Sequence, residues 1–193
     1  MKNPVPGKVK TRLAKSIGNE KAAEVYTFLL DHTRLITGRL TATRCFVYYD
    51  DAISEWDLWS NAFYQKRLQL GYNLGERMRN AFANCFQAGF SKAVVIGSDC
   101  LEIQTHHLQQ AFQLLDGAET VIGPASDGGY YLLGMNSLQA DLFVDIAWST
   151  ANVLGQTREK LARLGLSLEL LEELSDVDDE GDYDSMKSRF ENR

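Results

Sequence analysis

The sequence predicts a doubly wound α/β fold, with a mostly parallel sheet flanked by helices, in one domain over 1–193. Three observations carry this. Ala93-Val94-Val95-Ile96-Gly97 is continuously apolar, as a strand covered on both faces should be. Residues 20–37 and 74–90 repeat apolar side chains at helical spacing. Short β-rich runs alternate with helical stretches through short loops, the pattern of right-handed crossovers.

In chain order, the first helix covers 20–37, with Ala22, Ala23, Val25, Tyr26, Leu29, Leu30, Thr33 and Ile36 on one face and Asn19 placed to cap it. Cys45 to Tyr49 reads as a strand, 56–63 as a short helix and Arg67 to Leu70 as a short strand. Leu74 to Phe90 is a helix with Leu74, Met78, Phe82, Cys85 and Phe86 on its apolar face, ending near Gly89. The apolar strand at 93–97 follows, then a helix from His107 to Leu115. Thr120 to Ile122 and Tyr130 to Leu133 are strands joined by a loop rich in Gly, Pro and Asp. A helix from Thr150 to Leu164 stops at Gly165, Leu166 to Leu171 is a strand, and a last helix follows Asp182.

A chain of 193 residues with 45% hydrophobic and 24% charged side chains can bury a core, which excludes a disordered class. No run approaches the roughly 18 apolar residues of a membrane span, and Met1-Lys2-Asn3-Pro4 has no apolar segment of a secretory signal behind it. Cys45, Cys85 and Cys100 are scattered, odd in number and without Cys-x-x-Cys spacing, which speaks against a zinc site or disulfide framework and for a reducing cytoplasm. The net charge of −6 disfavours nucleic acid. The charge is uneven: Lys8, Lys10 and Arg12 cluster near the start, and Glu169 to Asp184 is acidic. Anion and cation sites, or two solvated charge runs, both account for this.

Sheets of this kind bind ligands at the carboxyl ends of their strands, and four segments stand out. Asn3-Pro4-Val5-Pro6-Gly7-Lys8-Val9-Lys10-Thr11-Arg12-Leu13 is a stiff loop with one permissive joint at Gly7. Lys10 and Arg12 suit phosphate, the lysine as a point charge and the arginine as a fork, unless the segment is simply a basic tail. It is no Walker loop, since Gly-x-x-x-x-Gly-Lys-Ser/Thr is absent. Ser98-Asp99-Cys100 follows the apolar strand, so Asp99 is a candidate Mg²⁺ or Mn²⁺ ligand, with Glu102 as an outer helper, or else a turn cap. In Gly123-Pro124-Ala125-Ser126-Asp127-Gly128-Gly129-Tyr130-Tyr131 the two glycines either let the backbone approach a ligand or serve a hairpin. Asp127 would then bind sugar hydroxyls or an acceptor, and Tyr130 would offer a ring face. Asp176 and Asp178 point the same way if extended and either complete a metal site or precede the last helix as an acidic cap. Arg77 and Trp148-Ser149-Thr150 are smaller features, Trp148 reading as core. His32, His106 and His107 show no nucleophile–base pattern.

These segments in this order resemble the bacterial GT-A-type glycosyltransferase-like proteins called radical-SAM/selenodomain-associated transferases. The pieces are Lys2 to Leu13, Leu74-Gly75-Glu76-Arg77-Met78, Gly97-Ser98-Asp99-Cys100, Gly123-Pro124 with Asp127-Gly128-Gly129-Tyr130-Tyr131, Trp148-Ser149-Thr150, and Asp176-Val177-Asp178. The resemblance implies a Rossmann-like GT-A (nucleotide-diphosphosugar transferase) fold. It implies nucleotide binding by Pro6, Gly7, Lys10, Arg12 and Ser98, a metal on Asp99 completed by Asp178 or Asp176, and an acceptor or sugar site at Asp127, Gly128, Gly129, Tyr130 and Trp148. Against the family pattern, the usual first apolar strand does not precede Lys2 in this sequence, the expectation being a start placed too late, a trimmed chain or a true loss. Leu101 replaces the usual proline, and Asn73 stands where an acidic residue is common.

The expectation is a metal-dependent glycosyltransferase that uses a nucleotide-diphosphosugar donor. Lys10 and Arg12 would offset leaving-group charge, and Asp127 would orient the acceptor or act as base. The alternatives are a guanylyltransferase-like nucleotidyltransferase acting on a nucleoside triphosphate, or a non-catalytic nucleotide-binding protein. The acceptor is an unspecified small molecule, and the exposed edges left by a missing strand suit a homo-oligomer.

Overall fold

A computed structural model describes residues 1–191. The described residues form two compact units, each discontinuous along the chain. The first comprises Met1–Leu68, Ser98–Ile103 and the chain from Ser175 onward, and the second Gln69–Gly97 with Gln104–Leu174.

The first unit holds α1 (Ala14–Ile17), α2 (Asn19–Thr37), β1 (Cys45–Tyr49), β2 (Tyr64–Leu68) and α6 (Glu180–Glu191). Helix α2 runs as its periodicity predicts, burying Ala22, Val25, Leu29 and Ile36. Asn19 is its first residue, and Gly18, at φ 87°, makes the entry. Strands β1 and β2 pair in parallel, Cys45 opposite Tyr64 and Tyr49 opposite Leu68. One core gathers Val9, Tyr26, Leu30, Val47, Tyr49, Trp59 and Tyr64, and a second gathers Leu13, Leu29, Leu101, Val177, Tyr183 and Met186.

The segment 56–63 is a chain of turns rather than the expected helix. Asp57 explains the difference. Its carboxylate accepts from the Trp59 amide at 2.9 Å, an Asx turn that competes with helical bonding. It also accepts from Lys66 Nζ at 2.8 Å and from the Tyr49 hydroxyl. Lys66 and Asp57 are nearly buried, at 6% and 14% side-chain exposure. This cluster holds the turn segment to β1 and β2.

The second unit holds α3 (Leu74–Gln87), β3 (Ala93–Ile96), α4 (Thr105–Leu114), β4 (Thr120–Pro124), β5 (Tyr130–Met135), a 3-10 turn (Ala140–Phe143), α5 (Val153–Leu164) and β6 (Leu168–Leu170). The strands run in the order β3-β5-β4-β6. The α/β class is as the sequence predicts, with open sheets flanked by helices. The four-stranded sheet is mixed through one strand: β3, β4 and β6 run the same way, β4 pairing with β6 in parallel, and β5 alone is reversed, antiparallel to its neighbours β3 and β4. The reason is length. Residues 125–129 are too few for a crossover, so β4 and β5 form a hairpin. Strand β3 lies at the edge of this sheet, and only Ala93 of its residues is buried, the other three being half-buried rather than covered on both faces. Phe82, Ile122, Leu133, Leu142, Phe143 and Leu161 centre the core. Helix α5 starts at Val153 rather than Thr150 and ends on left-handed Gly165. Among the described residues no helix is long and apolar enough to cross a membrane.

Candidate functional site

The candidate site lies in the first unit and is assembled from three distant stretches. The N-terminal loop begins with a turn in which the Lys8 amide donates to the Val5 carbonyl at 3.0 Å. Pro6 and Gly7 occupy its central positions, and Gly7 has φ 78°, the pairing that a type II turn demands. Val9 and Leu13 then anchor the loop, each in a different core and almost fully buried. Between them, Lys10 takes φ 45°, a left-handed conformation that costs a non-glycine residue about 1–2 kcal/mol.

The Lys10 ammonium sits 2.8 Å from Asp99 Oδ2 and 3.0 Å from Asp178 Oδ1, and its side chain is only 4% exposed. Burial pulls the Lys10 pKa down, but Asp99 and Asp178 outweigh it, so the value stands above the ordinary lysine range. Both carboxylates are partly open to solvent, at 39% and 36%. Arg12 Nη2 is 3.6 Å from Asp178 Oδ2 and 76% exposed, so its guanidinium is largely available. Residues separated by 168 positions thus share one charge cluster.

The other strands of this assembly are equally specific. The Val177 amide donates to the Asp99 carbonyl at 3.0 Å, fixing one acidic segment against the other. Asp182 Oδ2 accepts from the Asp178 and Asp179 amides, which caps α6. Of the two aspartates at 176 and 178, Asp178 is the one that meets Lys10. Asp176 bears on Cys100, whose thiol is pushed up to about 12 by burial and by that carboxylate. Glu102 accepts from the Ser175 amide at 2.7 Å and so braces the backbone that leads to Asp178. Ser98 Oγ donates to Asp99 Oδ1 at 3.3 Å. A hollow of about 270 Å³ is bounded by Lys2, Asn3, Val5, Lys8, Asp50 and Asp51. Lys8, already part of the basic cluster seen in the sequence, and Lys2, which the sequence does not single out, give it two cations.

The remaining predicted residues lie in the second unit. Asp127 is exposed, and its Oδ1 accepts from the Gly129 amide at 2.8 Å, so it shapes its own turn. Gly128 has φ 87°, and a Cβ there would stand 2.2 Å from the Ala151 carbonyl oxygen. The need for glycine at 128 is therefore met inside the protein. Tyr130 and Trp148 meet edge to face at 6.5 Å, and Trp148 also stacks on Phe143. A Cβ at Gly75 would fall 2.2 Å from Trp148 Nε1, so α3 and this indole are in close contact. Arg77 binds the Gly71 carbonyl and Gln69 within its own unit. Asn73 caps α3 through the Glu76 amide, a role that asparagine fills as well as aspartate.

His106, His107 and Glu172 bring three ligand-type atoms within 4.8 Å of one another. His107 Nδ1 accepts from the Gln104 amide at 2.9 Å, so its neutral ring carries the proton on Nε2, facing Glu172 Oε1 at 2.5 Å. A metal at Nε2 would have to break that capping bond. The trio reads as a helix cap locked by a carboxylate.

The matching family model is described as "Uncharacterized protein conserved in bacteria (DUF2064)" and covers residues 35–150. The chain belongs to this family. A crystal structure from Desulfovibrio desulfuricans G20, provisionally named a nucleotide-diphospho-sugar transferase, matches this DUF2064 chain at 33% identity and TM-score 0.90. It covers 100% of this chain and 85% of the other. Two more distant structures share the fold alone. CMP:2-keto-3-deoxy-manno-octonic acid synthetase complexed with CTP matches at TM-score 0.55 and 8% identity, over 85% of this chain and 88% of that one. Rv0371c from Mycobacterium tuberculosis H37Rv matches at 0.51 and 13%, over 82% of each. No curated protein matches in sequence. These likenesses set the chain among proteins of the nucleotide-diphospho-sugar transferase kind.

Proposed function

We propose that this chain is a metal-dependent glycosyltransferase that takes a nucleotide-diphosphosugar donor. The observation that carries the reading is the meeting of Lys10 with Asp99 and Asp178, with Arg12 beside them. Two carboxylates with half-exposed oxygens are hard donors, suited to Mg²⁺ or Mn²⁺ once Lys10 releases them, with phosphate and water completing the shell. Such an ion would neutralise phosphate charge in the bound donor.

The chain's own residues supply the rest. Arg12 offers a two-pronged guanidinium to the diphosphate, and Lys10 a point charge from a loop that Val9 and Leu13 hold rigid. Both cations oppose the negative charge that grows on the leaving nucleoside diphosphate as the sugar–oxygen bond breaks. Pro6, Gly7 and Ser98 shape the backbone on either side of these charges. The acceptor assignment of Asp127, Gly128, Gly129, Tyr130 and Trp148 remains part of the proposal and rests on the resemblance of the Asp-Gly-Gly-Tyr segment.

The rival within the same fold is nucleotidyl transfer, in which the α-phosphorus is attacked and pyrophosphate leaves. The synthetase complexed with CTP, a protein of the same fold, supports this rival. Incubation with Mn²⁺ and either labelled UDP-sugar or labelled GTP separates the two. The proposal expects sugar transfer or donor hydrolysis with release of UDP. Pyrophosphate released from GTP, with the UDP-sugar intact, would refute it in favour of nucleotidyl transfer.

A further inference from the structure

We propose that Lys10 is the resident counter-ion of an exchange site: its ammonium holds Asp99 and Asp178 together until a divalent cation takes them, and then moves to the nucleotide's phosphates. This rests on the metal and diphosphate reading above and adds to it that one side chain serves both states.

Three observations converge. First, Lys10 Nζ lies within 3.0 Å of both carboxylates, so its charge is spent on them. A lysine poised only for phosphate would be expected to face solvent, as Arg12 does at 76% exposure, whereas Lys10 is 4% exposed. Second, the charges balance. Two aspartates, Lys10 and Arg12 make a neutral group with little attraction for a diphosphate. Adding a divalent ion to the carboxylates leaves a group with two positive charges, which matches a diphosphate's demand. Cation and nucleotide would then bind with positive cooperativity, because the first frees the ligand of the second. Third, the backbone at Lys10 is held at φ 45° by its surroundings. Its carbonyl accepts from the Ala14 amide at 2.8 Å, and buried Val9 and Leu13 flank it. With the backbone pinned, the exchange needs only rotation of the flexible four-carbon stem.

The alternatives make different predictions. A purely structural ammonium would lower both stability and metal binding when removed. A purely phosphate-binding ammonium would leave binding of the metal alone unchanged. Exchange predicts opposite signs for the two ligands.

The test uses the whole chain as wild type, Lys10→Met and Lys10→Asn. Asparagine tolerates left-handed backbone, so it keeps the experiment interpretable if methionine unfolds the loop. Free Mn²⁺ is read by electron paramagnetic resonance with no nucleotide present. Calorimetry with UDP and with GDP follows at saturating Mn²⁺. The expected result is Mn²⁺ bound about tenfold tighter by both variants, since two partly screened ion pairs no longer compete, and nucleotide bound about tenfold more weakly. Equal Mn²⁺ affinity in wild type and variants would overturn the exchange while leaving the metal reading standing. Mn²⁺ bound by none of the three would overturn both.

Discussion

Replacing Gly128 with alanine separates a glycine kept for folding from one kept for a ligand. The residue has φ 87°, and an added Cβ would lie 2.2 Å from the Ala151 carbonyl oxygen and 2.8 Å from its carbon. Left-handed backbone costs alanine about 1–2 kcal/mol, and forcing an extra methyl against backbone costs about 1–3 kcal/mol more. The Leu154 amide donates to the Gly128 carbonyl at 2.9 Å, so the start of α5 cannot shift without loss. Gly128→Ala should therefore destabilise the protein by about 2–5 kcal/mol, or about 4–20 °C in midpoint for a chain of this size. Gly128→Asn should recover little, since asparagine eases the dihedral but keeps the Cβ. Gly129→Ala is the control: the atoms nearest its Cβ would belong to the Asp127 side chain, Oδ1 at 3.1 Å, and it should cost under about 1.5 kcal/mol. Urea titration followed by circular dichroism gives all three values. A Gly128→Ala variant within about 0.5 kcal/mol of wild type, below the ordinary cost of either term, would refute the packing argument and leave the proposed acceptor role as the account of this glycine.

Other consequences follow from the buried charges and thiol. Lys66→Met should cost about 3–5 kcal/mol by leaving Asp57 without its ammonium, and adding Asp57→Leu should restore part of the loss; chemical denaturation of the single and double variants checks this. Burial raises the Asp57 pKa, yet bonds from Lys66, Tyr49 and the Trp59 amide outweigh it and hold the value below 3.8. The stability that Asp57 contributes should thus be complete above that pH and disappear as acid titrates the folded carboxylate, a slope that Asp57→Asn should flatten in acid unfolding curves. Cys100, 2% exposed with its thiol pushed up to about 12, should resist iodoacetamide at pH 8 in the folded protein and react on unfolding, as peptide mass mapping would show.

The helices were the most legible part of the sequence, because their apolar spacing is set by the core they bury. Helix α2 was readable from Ala22 to Ile36 for that reason. Strand direction was less legible. An apolar run such as 93–97 looks the same whether its neighbour runs with it or against it, and only the five-residue link before Tyr130 betrays a hairpin. The segment 56–63 was misread as helix because its structure comes from Asp57 side-chain bonds to Tyr49 and Lys66, and no local pattern encodes such partners. Within the candidate site, Lys10, Asp99 and Asp178 were nameable from their types and places. Their direct contact was not, since it depends on a backbone turned to positive φ at Lys10 and on the Val177 amide docking at Asp99. Asp176 and Asp178 were equivalent in sequence, and the cluster around Lys10 distinguishes them.

Crystals grown with Mn²⁺ and UDP and measured at the manganese absorption edge test the account most directly. It predicts an anomalous peak at coordination distance from a carboxylate oxygen of both Asp99 and Asp178, with Lys10 Nζ moved away from them and within hydrogen-bond reach of a phosphate oxygen. A peak elsewhere, with Lys10 still bridging the two aspartates while UDP is bound, would contradict it.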